Sequence, residues 1–218
     1  MAAKWARAHT GTGPMPRLLD DTVAKNRGKI EVAAQKLFTR QGFNGTTVRE
    51  IAQKAGVSMG KLYLYYPTKE DIFIALVEHL EQKMEARRQK EIYPYMQSVD
   101  PESLEKLGMS VGRVVSKNLD YWRLMYVDVV EFRHKHFIRS YSEIARSLRS
   151  YSRSLFQKAP HPFPGGVDPA FAYVGLYLQF ITYFLIEELF GAKRHLGVGH
   201  QEAVRQFVRL YTRNAKGR

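Results

Sequence analysis

The stretch SMGKLYLY, residues 58–65, places a lysine and two tyrosines on a helix of about two turns. A protein core does not favour the lysine, and a plain solvated surface does not favour the tyrosines. A lysine ammonium reaches phosphate oxygens or a guanine edge, whereas a tyrosine donates to phosphate and packs against sugar or a thymine methyl. Lys61, Tyr63 and Tyr65 therefore predict a surface that contacts nucleic acid.

The chain of 218 residues is strongly basic, with a formal net charge of +13. Such a chain is attracted to polyanions, to nucleic acid first and to an anionic membrane surface second. It contains no cysteine, which excludes disulfides and thiolate metal sites and fits a reducing compartment, so a cytoplasmic protein is expected. Residues 1–20 lack the apolar core of a signal peptide and are expected to form a loosely ordered basic arm.

Most turn signals in the sequence separate helical patterns, and no convincing alternating strand is found. The first helix is expected over about residues 21–41. Thr47 and Glu50 have the spacing of a capping box that opens a second helix; Ser58 caps a third, and residues 68–71 open a long fourth. Further helices are expected near residues 101–117, 119–135, 137–158, 169–190 and 200–214. The prediction is an all-α fold of about nine helices.

Two short helices joined by a glycine turn and packed on a longer first helix make a helix-turn-helix. Leu62 is expected to anchor the third helix to the core, which leaves its outer face free to enter a major groove. Gly60 allows close backbone approach, the amide end of the second helix at Thr47 suits a phosphate, and Lys69 is expected to contact phosphate from the other side. The first 70 residues hold twelve Lys or Arg against five Asp or Glu, in agreement with this interpretation.

Residues 27–73 resemble the DNA-binding domain of the TetR family of bacterial transcriptional regulators. The resemblance rests on Ala33-Ala34-x-x-Leu37-Phe38, Gly42-Phe43, Thr46-Thr47-Val48, Ile51-Ala52, Ala55-Gly56-Val57-Ser58, Gly60, Leu62-Tyr63 and Lys69-Glu70. Tyr66 departs from it, because the family usually has phenylalanine there; its hydroxyl is expected at the surface. The resemblance implies DNA contacts at Thr47, Arg49, Ser58, Met59, Gly60, Lys61, Tyr63, Tyr65 and Lys69.

The resemblance also implies a domain organisation and a mode of action. The arm would cover residues 1–20, the helix-turn-helix domain 21–67, and a helical regulatory domain for ligand binding and dimerisation 68–218. A two-fold homodimer would place two recognition helices roughly 34–36 Å apart on a palindromic operator in double-stranded DNA. We expect a repressor that a small ligand releases from its operator. The alternative is a helical ligand-binding or scaffolding dimer without operator binding.

The segment 170–186 carries no charge and is close to the lower length limit for crossing a bilayer. Gln179 and Thr182 within it, and two glutamates that close it, favour burial inside a protein, so no membrane partner is expected. A helix that is apolar nearly all round needs cover on two sides. The protein's own core covers one side, and a partner subunit is the simplest cover for the other. A central position in a monomer is the alternative. The predicted interface residues are Phe171, Val174, Leu178, Ile181, Leu185, Val204, Phe207 and Tyr211.

An aromatic, methionine-bearing helical face predicts where a small effector would bind. The candidate residues, including two that would face this helix, are Tyr121, Trp122, Met125, Tyr126, Val129, Phe132, Tyr177 and Phe180. Such a cavity suits a hydrophobic ligand, although ordinary core packing produces the same pattern. Asp128 and Glu131 would pair either with a cationic ligand or with Arg133 and Lys135.

Four arginines share one face of the helix expected at 137–158. They are Arg139, Arg146, Arg149 and Arg153. Beside an apolar cavity they would hold the phosphates of an acyl-CoA, a ligand known among some members of the family, and a fatty acid is a related candidate ligand. The alternative is that these arginines contact only solvent.

No catalytic residues, cofactor or metal site are expected. His134 and His136 are two residues apart on a helix and point in different directions. The sequence has no HExxH motif, no phosphate-cradling glycine loop and no nucleophile elbow. An enzyme is therefore the weakest of the functional classes.

Overall fold

The computed structural model describes residues 17–156, 163 and 166–212, and within these ranges the chain is helical without strands. The α-helices are α1 (Arg17–Gln41), α2 (Val48–Ala55), α3 (Met59–Tyr65), α4 (Lys69–Arg87), α5 (Pro101–Ser116), α6 (Leu119–Phe132), α7 (Ile138–Phe156), α8 (Pro169–Leu189) and α9 (His200–Thr212). A π-helical turn (Arg88–Ile92) and a 3-10 turn (Tyr93–Tyr95) continue α4. The predicted all-α fold is confirmed. The first helix begins at Arg17 rather than near residue 21, and most of the expected arm lies outside the described residues.

Local capping explains where the short N-terminal helices start and stop. Glu50 accepts a hydrogen bond from the Thr47 backbone N–H at 2.8 Å, and Thr47 Oγ1 accepts from the Glu50 N–H at 3.2 Å. Gly56, with a φ of 66°, ends α2 in the left-handed conformation. Ser58 caps α3, whose Leu62 is fully buried. A helix-turn-helix results, with α3 as its outer helix.

The larger helical part is built around α5, which packs on α8 and α9. Two glycines of α5 make this approach possible. A Cβ at Gly108 would stand 2.7 Å from Val204 and 2.9 Å from Phe180, and one at Gly112 would collide with the ring of Phe184. The two glycines therefore let Val204, Phe180 and Phe184 pack closely against α5.

Helix α8 is long and apolar enough, by length and composition, to cross a membrane, but 44% of its apolar window is buried inside the protein. One such helix is weak evidence for a membrane span, because the core helix of a globular domain passes the same test. Its inner face carries Tyr173, Phe180 and Phe184 into the core. The expected burial of one side is therefore seen.

The carboxylate of Glu187, near the end of α8, organises the turn that leads to α9. Its oxygens accept hydrogen bonds from the backbone N–H of Arg194 at 2.7 Å and of His195 at 3.1 Å, and both His195 and His200 contact it through ring nitrogens. Burial acts to raise the pKa of Glu187, but these hydrogen bonds more than offset it and leave the pKa below its usual value. The two histidines meet at this carboxylate through a turn and not through a helical repeat.

Candidate nucleic-acid interface and ligand cavity

The outer face of α3 is exposed and carries the residues expected there. Tyr63 is 48% exposed, and Lys61, Gly60 and Ser58 are also exposed, while Leu62 holds the helix from behind. Leu64, 69% exposed on the same surface, was missed by the sequence reasoning. An exposed apolar side chain beside a lysine and a tyrosine supplies the groups that reach phosphate, base edges and thymine methyls.

Thr47, Arg49 and Met59 extend this exposed surface across the start of α2 and the start of α3. The Thr47 hydroxyl also donates to Glu50 at 2.7 Å within the capping box. The neighbouring Gln41 contacts the same Glu50 carboxylate at 3.4 Å. The start of α2 is therefore held in place before any ligand arrives.

Tyr65 and Tyr66 differ from expectation because they follow Leu62 on the inner side of α3. Tyr65 is half-buried, and its hydroxyl accepts a hydrogen bond from Asn26 Nδ2 at 3.3 Å. Tyr66 is buried, donates to Glu31 at 2.7 Å and accepts from Arg27 at 3.2 Å, and burial raises its pKa to about 12. The Tyr66 hydroxyl therefore ties α3 to α1 instead of lying free at the surface.

Lys69 has a structural role that the sequence did not indicate. Its Nζ donates to the carbonyl oxygens of Phe43 and Thr46, both at 2.7 Å, and lies 4.1 Å from the centre of the Phe43 ring. Burial lowers the pKa of Lys69, and the nearby Glu131 carboxylate partly offsets this. The expectation that this ammonium is displayed to phosphate is not what the geometry shows; it holds the α1–α2 turn.

The same turn is held from its other side by α6. The Glu131 carboxylate accepts hydrogen bonds from the backbone N–H of Phe43 at 2.9 Å and of Asn44 at 2.6 Å. Gly42, with a φ of 77°, leaves room for this, since a Cβ there would stand 2.5 Å from a Glu131 oxygen. The ring of Phe132 packs 4.5 Å from that of Phe43, centre to centre. Helix α6 thus packs against the helix-turn-helix and is hydrogen-bonded to it.

Several residues predicted to meet a ligand therefore have other partners. Glu131 and Phe132 contact the α1–α2 turn. Asp128 is fully buried and accepts hydrogen bonds from the backbone N–H groups of His136 and Phe137 at 3.1–3.2 Å, at the start of α7. Its charge stabilises the amide end of that helix, so neither acid faces a ligand.

The main cavity has a volume of about 1120 Å³ and lies between α4 with its π and 3-10 extensions on one side and α7 on the other. Its described lining residues are Glu81, Gln82, Glu85, Ala86, Arg88, Gln89, Tyr93, Met96, Gln97, Glu143, Ile144, Ser147, Leu148, Ser150, Tyr151 and Tyr177. Of the predicted lining residues only Tyr177 is among them. The predicted position on α6 is wrong because α6 packs its apolar face against α1 and α8.

The remaining predicted pocket residues belong to the core or the surface. Phe180 is fully buried, and Tyr121 is buried with its hydroxyl donating to Glu81 at 2.8 Å. Trp122 and Met125 pack partly against the core, while Tyr126 and Val129 are exposed. The four arginines of α7 do not line the cavity: Arg139 contacts Glu143 at 3.1 Å, and Arg146, Arg149 and Arg153 are exposed.

An apolar face of α8 and α9 is exposed. Phe171 is 75% and Leu178 44% exposed, Val174, Ile181 and Leu185 are half-buried along the same side, and Phe207 and Tyr211 lie partly buried on α9. Val204 was predicted here but is fully buried against α5, whereas Leu210, which was not predicted, is exposed. Exposed apolar patches of this kind occur at protein–protein, membrane and ligand contacts.

Residues 30–76, which include the helix-turn-helix, match the family model of the bacterial regulatory proteins of the tetR family. Residues 30–76 therefore form a DNA-binding domain of the TetR type. The matched segment contains α2, α3 and every residue predicted to contact DNA. Within the ranges that the structure describes, no group of three or more His, Cys, Asp or Glu side chains is placed to hold a metal ion.

Known proteins resemble this chain in the same region. They include the HTH-type transcriptional regulator QacR of Staphylococcus aureus (35% identical over 65 residues, 30% of this chain and 35% of that one) and the nucleoid occlusion factor SlmA of Haemophilus ducreyi (34% over 74 residues, 34% and 37%). The uncharacterized HTH-type transcriptional regulator YuxN of Bacillus subtilis is 37% identical over 60 residues, 27% of this chain and 21% of that one. The chain thus aligns with only about a fifth to somewhat over a third of their length.

Solved structures share the fold over most of the chain. A bacterial regulatory protein of the TetR family from Rhodococcus has a TM-score of 0.60 at 20% identity, covering 86% of this chain and 95% of that one. The TetR family transcriptional regulator PfmR of Thermus thermophilus has a TM-score of 0.56 at 22% identity, covering 86% and 99%. The TetR-family fold therefore extends beyond the matched DNA-binding domain.

Proposed function

We propose that this chain is a homodimeric transcriptional regulator that binds operator DNA through α3 and responds to a small molecule in the cavity between α4 and α7. The observation that carries the proposal is the outer face of α3, where Lys61, Tyr63 and Leu64 are exposed while Leu62 fixes the helix to the core. A basic chain of this kind is attracted to phosphate, and the exposed side chains read base edges. Its place of action is the cytoplasm, with the DNA.

The proposed dimer uses the exposed apolar face of α8 and α9. Phe171, Leu178 and Leu210 are the most exposed of its apolar residues, and pairing two such faces by a two-fold axis removes them from water on both subunits. A two-fold dimer presents two recognition helices to successive major grooves, roughly 34–36 Å apart, so its operator is palindromic.

Ligand binding is proposed to release the operator, which makes the protein a repressor. Helix α4 begins beside the DNA-binding domain at the Thr68 cap and lines the cavity with Glu81 and Glu85. A ligand that binds more tightly to one position of α4 than to another shifts the population of dimers away from the DNA-binding form. The small effector has an apolar body, in keeping with Met96, Ile144 and Leu148 in the lining.

The test is the salt dependence of DNA binding by three versions of the protein. Fluorescence anisotropy with duplexes from upstream of the protein's own gene is measured between about 50 and 200 mM salt, where phosphate contacts weaken steeply. Lys61→Ala is expected to reduce affinity, whereas Lys106→Ala, an exposed α5 lysine paired with Glu102, carries the same charge change and is expected to have no effect. Equal affinities in all three proteins would favour the competing function, a helical ligand-binding or scaffolding dimer.

A further inference from the structure

The main cavity is acidic although the chain is strongly basic. Glu81, Glu85 and Glu143 line it, and Arg88 is the one cation among its described lining residues. The lining thus has two more carboxylates than cations, in a chain whose formal net charge is +13. Carboxylates concentrated in a concave site favour positive ligands, because the low-dielectric walls of a cleft focus the field of its charges.

Arg88 is already engaged and does not offer a free anion site. Its Nε donates to Glu85 at 2.8 Å, and its Nη2 lies 3.9 Å from a Glu81 oxygen, with the guanidinium largely buried. An anionic ligand would have to displace these carboxylates. Glu143 is paired with Arg139 from outside the lining at 3.1 Å, so the carboxylate charge left for a cation is that of Glu81 and Glu85, which share Arg88.

Tyr177 supplies a second, independent sign of a ligand. Its side chain is only 7% exposed, it lines the cavity, and its hydroxyl has no hydrogen-bond partner in the described part of the chain. The other cavity tyrosines are satisfied, since Tyr151 donates to the Met96 carbonyl at 2.9 Å and Tyr93 to Glu85 at 3.3 Å. The hydroxyl opens to the cavity, so it is free to form a hydrogen bond with a polar group of a ligand.

We propose that the cavity binds an organic cation with an aromatic body, whose charged end lies beside Glu81, Glu85 and the Tyr177 hydroxyl. Tyrosine faces and the apolar residues Met96, Ile144 and Leu148 hold the body, and rings attract a cation as well as apolar surface. The volume of about 1120 Å³ is sufficient for a drug-sized molecule. This inference rests on the proposed function, because it names the chemical class of the effector.

An acyl-CoA fits the same cavity less well. Its phosphates would face the surplus of carboxylates, and the four arginines that would hold them, Arg139, Arg146, Arg149 and Arg153, are not among the lining residues. Because charge sign is the property that separates the two ligand classes, a test must change the sign and little else.

Tetraphenylphosphonium and tetraphenylborate provide such a pair, with the same shape and opposite charge. Isothermal titration calorimetry of the full chain without DNA is expected to show one tetraphenylphosphonium per subunit. The binding of tetraphenylphosphonium is expected to weaken by about tenfold in Glu81→Gln and in Glu143→Gln. Glu81→Gln keeps an oxygen for the Tyr121 hydroxyl, and Glu143 lies at the half-exposed edge of the cavity. Glu102→Gln, an exposed α5 change of equal charge, is the control and is expected to have no effect.

Tyr177→Phe tests the hydroxyl separately. It is expected to weaken the binding of protonated 1-naphthylmethylamine several-fold, because that cation has N–H donors. The binding of tetraphenylphosphonium, which has no such donor, is expected to be unchanged. Thermal unfolding of each variant confirms that it is folded.

Three results overturn the inference. The first is that neither cation binds, and the second is that cations bind equally well to the wild type, Glu81→Gln and Glu143→Gln. The third is that tetraphenylborate binds and that Glu81→Gln, but not Glu102→Gln, alters its binding. The last result favours an anionic effector such as an acyl-CoA. A protein that binds DNA through Lys61 but binds no cation overturns this inference and leaves the proposed function standing. A protein that binds a cation but no DNA supports cation binding in the cavity and overturns the proposed function.

Discussion

Replacing Glu131 by glutamine tests the contact between the regulatory helices and the DNA-binding domain. The carboxylate accepts two backbone hydrogen bonds from the α1–α2 turn, at 2.9 and 2.6 Å. Hydrogen bonds to a charged group contribute about 1.5–3 kcal/mol each. Glutamine keeps one acceptor oxygen and turns an N–H toward the second donor, so the variant loses roughly one such bond. We expect the free energy of unfolding to fall by about 2 kcal/mol.

The assay is thermal unfolding followed by circular dichroism at a fixed protein concentration, because a dimer unfolds in a concentration-dependent way. For a chain of this size, about 1 kcal/mol corresponds to about 2–4 °C, so Glu131→Gln is expected to lower the Tm by about 4–8 °C. Glu102→Gln removes an exposed ion pair of α5, and surface changes of this kind stay within about 0.5 kcal/mol.

A Tm for Glu131→Gln that matches the Glu102→Gln control would refute the reasoning, since the two bonds would then contribute nothing. The same variant has a functional readout. Because Glu131 joins α6 to the turn before α2, its loss is expected to reduce the effect of ligand on DNA affinity more than it reduces DNA affinity itself.

Three further predictions follow from single contacts. Leu62→Ala empties a fully buried site and is expected to cost about 2–5 kcal/mol, measured by urea unfolding, with loss of DNA binding; a cost below about 1 kcal/mol would contradict the anchoring role. Lys69→Met removes both contacts with the turn carbonyls and is expected to lower the Tm and to weaken binding to all DNA sequences equally. Lys61→Ala is expected to change the sequence preference at an unchanged Tm. The reverse pattern in paired melting and binding measurements would refute both assignments. The hydrogen bonds of Ser103 and Ser98 lower the pKa of Asp100 to about 2. Its stabilising contribution is therefore complete above about pH 4 and lost as the pH falls toward 2, so Asp100→Asn should show a shallower acid decline in Tm, and an identical decline would contradict it.

Local signals in the sequence were sufficient for the helices and their caps. The Thr47–Glu50 capping box, the Ser58 cap and the Asp100 cap all form between residues three apart, and such spacing is visible in a sequence. Outward Lys61 and inward Leu62 follow from the same helical geometry.

Contacts between distant segments could not be predicted in this way. Lys69 and Glu131 resemble surface charges in the sequence, yet their partners are backbone atoms 23 to 88 positions away. Backbone carbonyls and amides carry no sequence signature. Tyr177 and Phe180 are both apolar ring positions on α8, and only the packing of α4 and α7 determines that Tyr177 lines the cavity while Phe180 lies in the core.

Selection from random duplex DNA tests the central claim, that the outer face of α3 reads DNA, most directly. Purified protein is incubated with the duplex pool, and bound sequences are determined for the wild type, Lys61→Ala and Tyr63→Ala. The wild type is expected to enrich two inverted half-sites about one DNA turn apart, roughly 10–10.5 bp between centres or a multiple of it. Each variant is expected to change the half-site while keeping the spacing. Failure to enrich any motif, or an identical motif in all three proteins, would contradict the account.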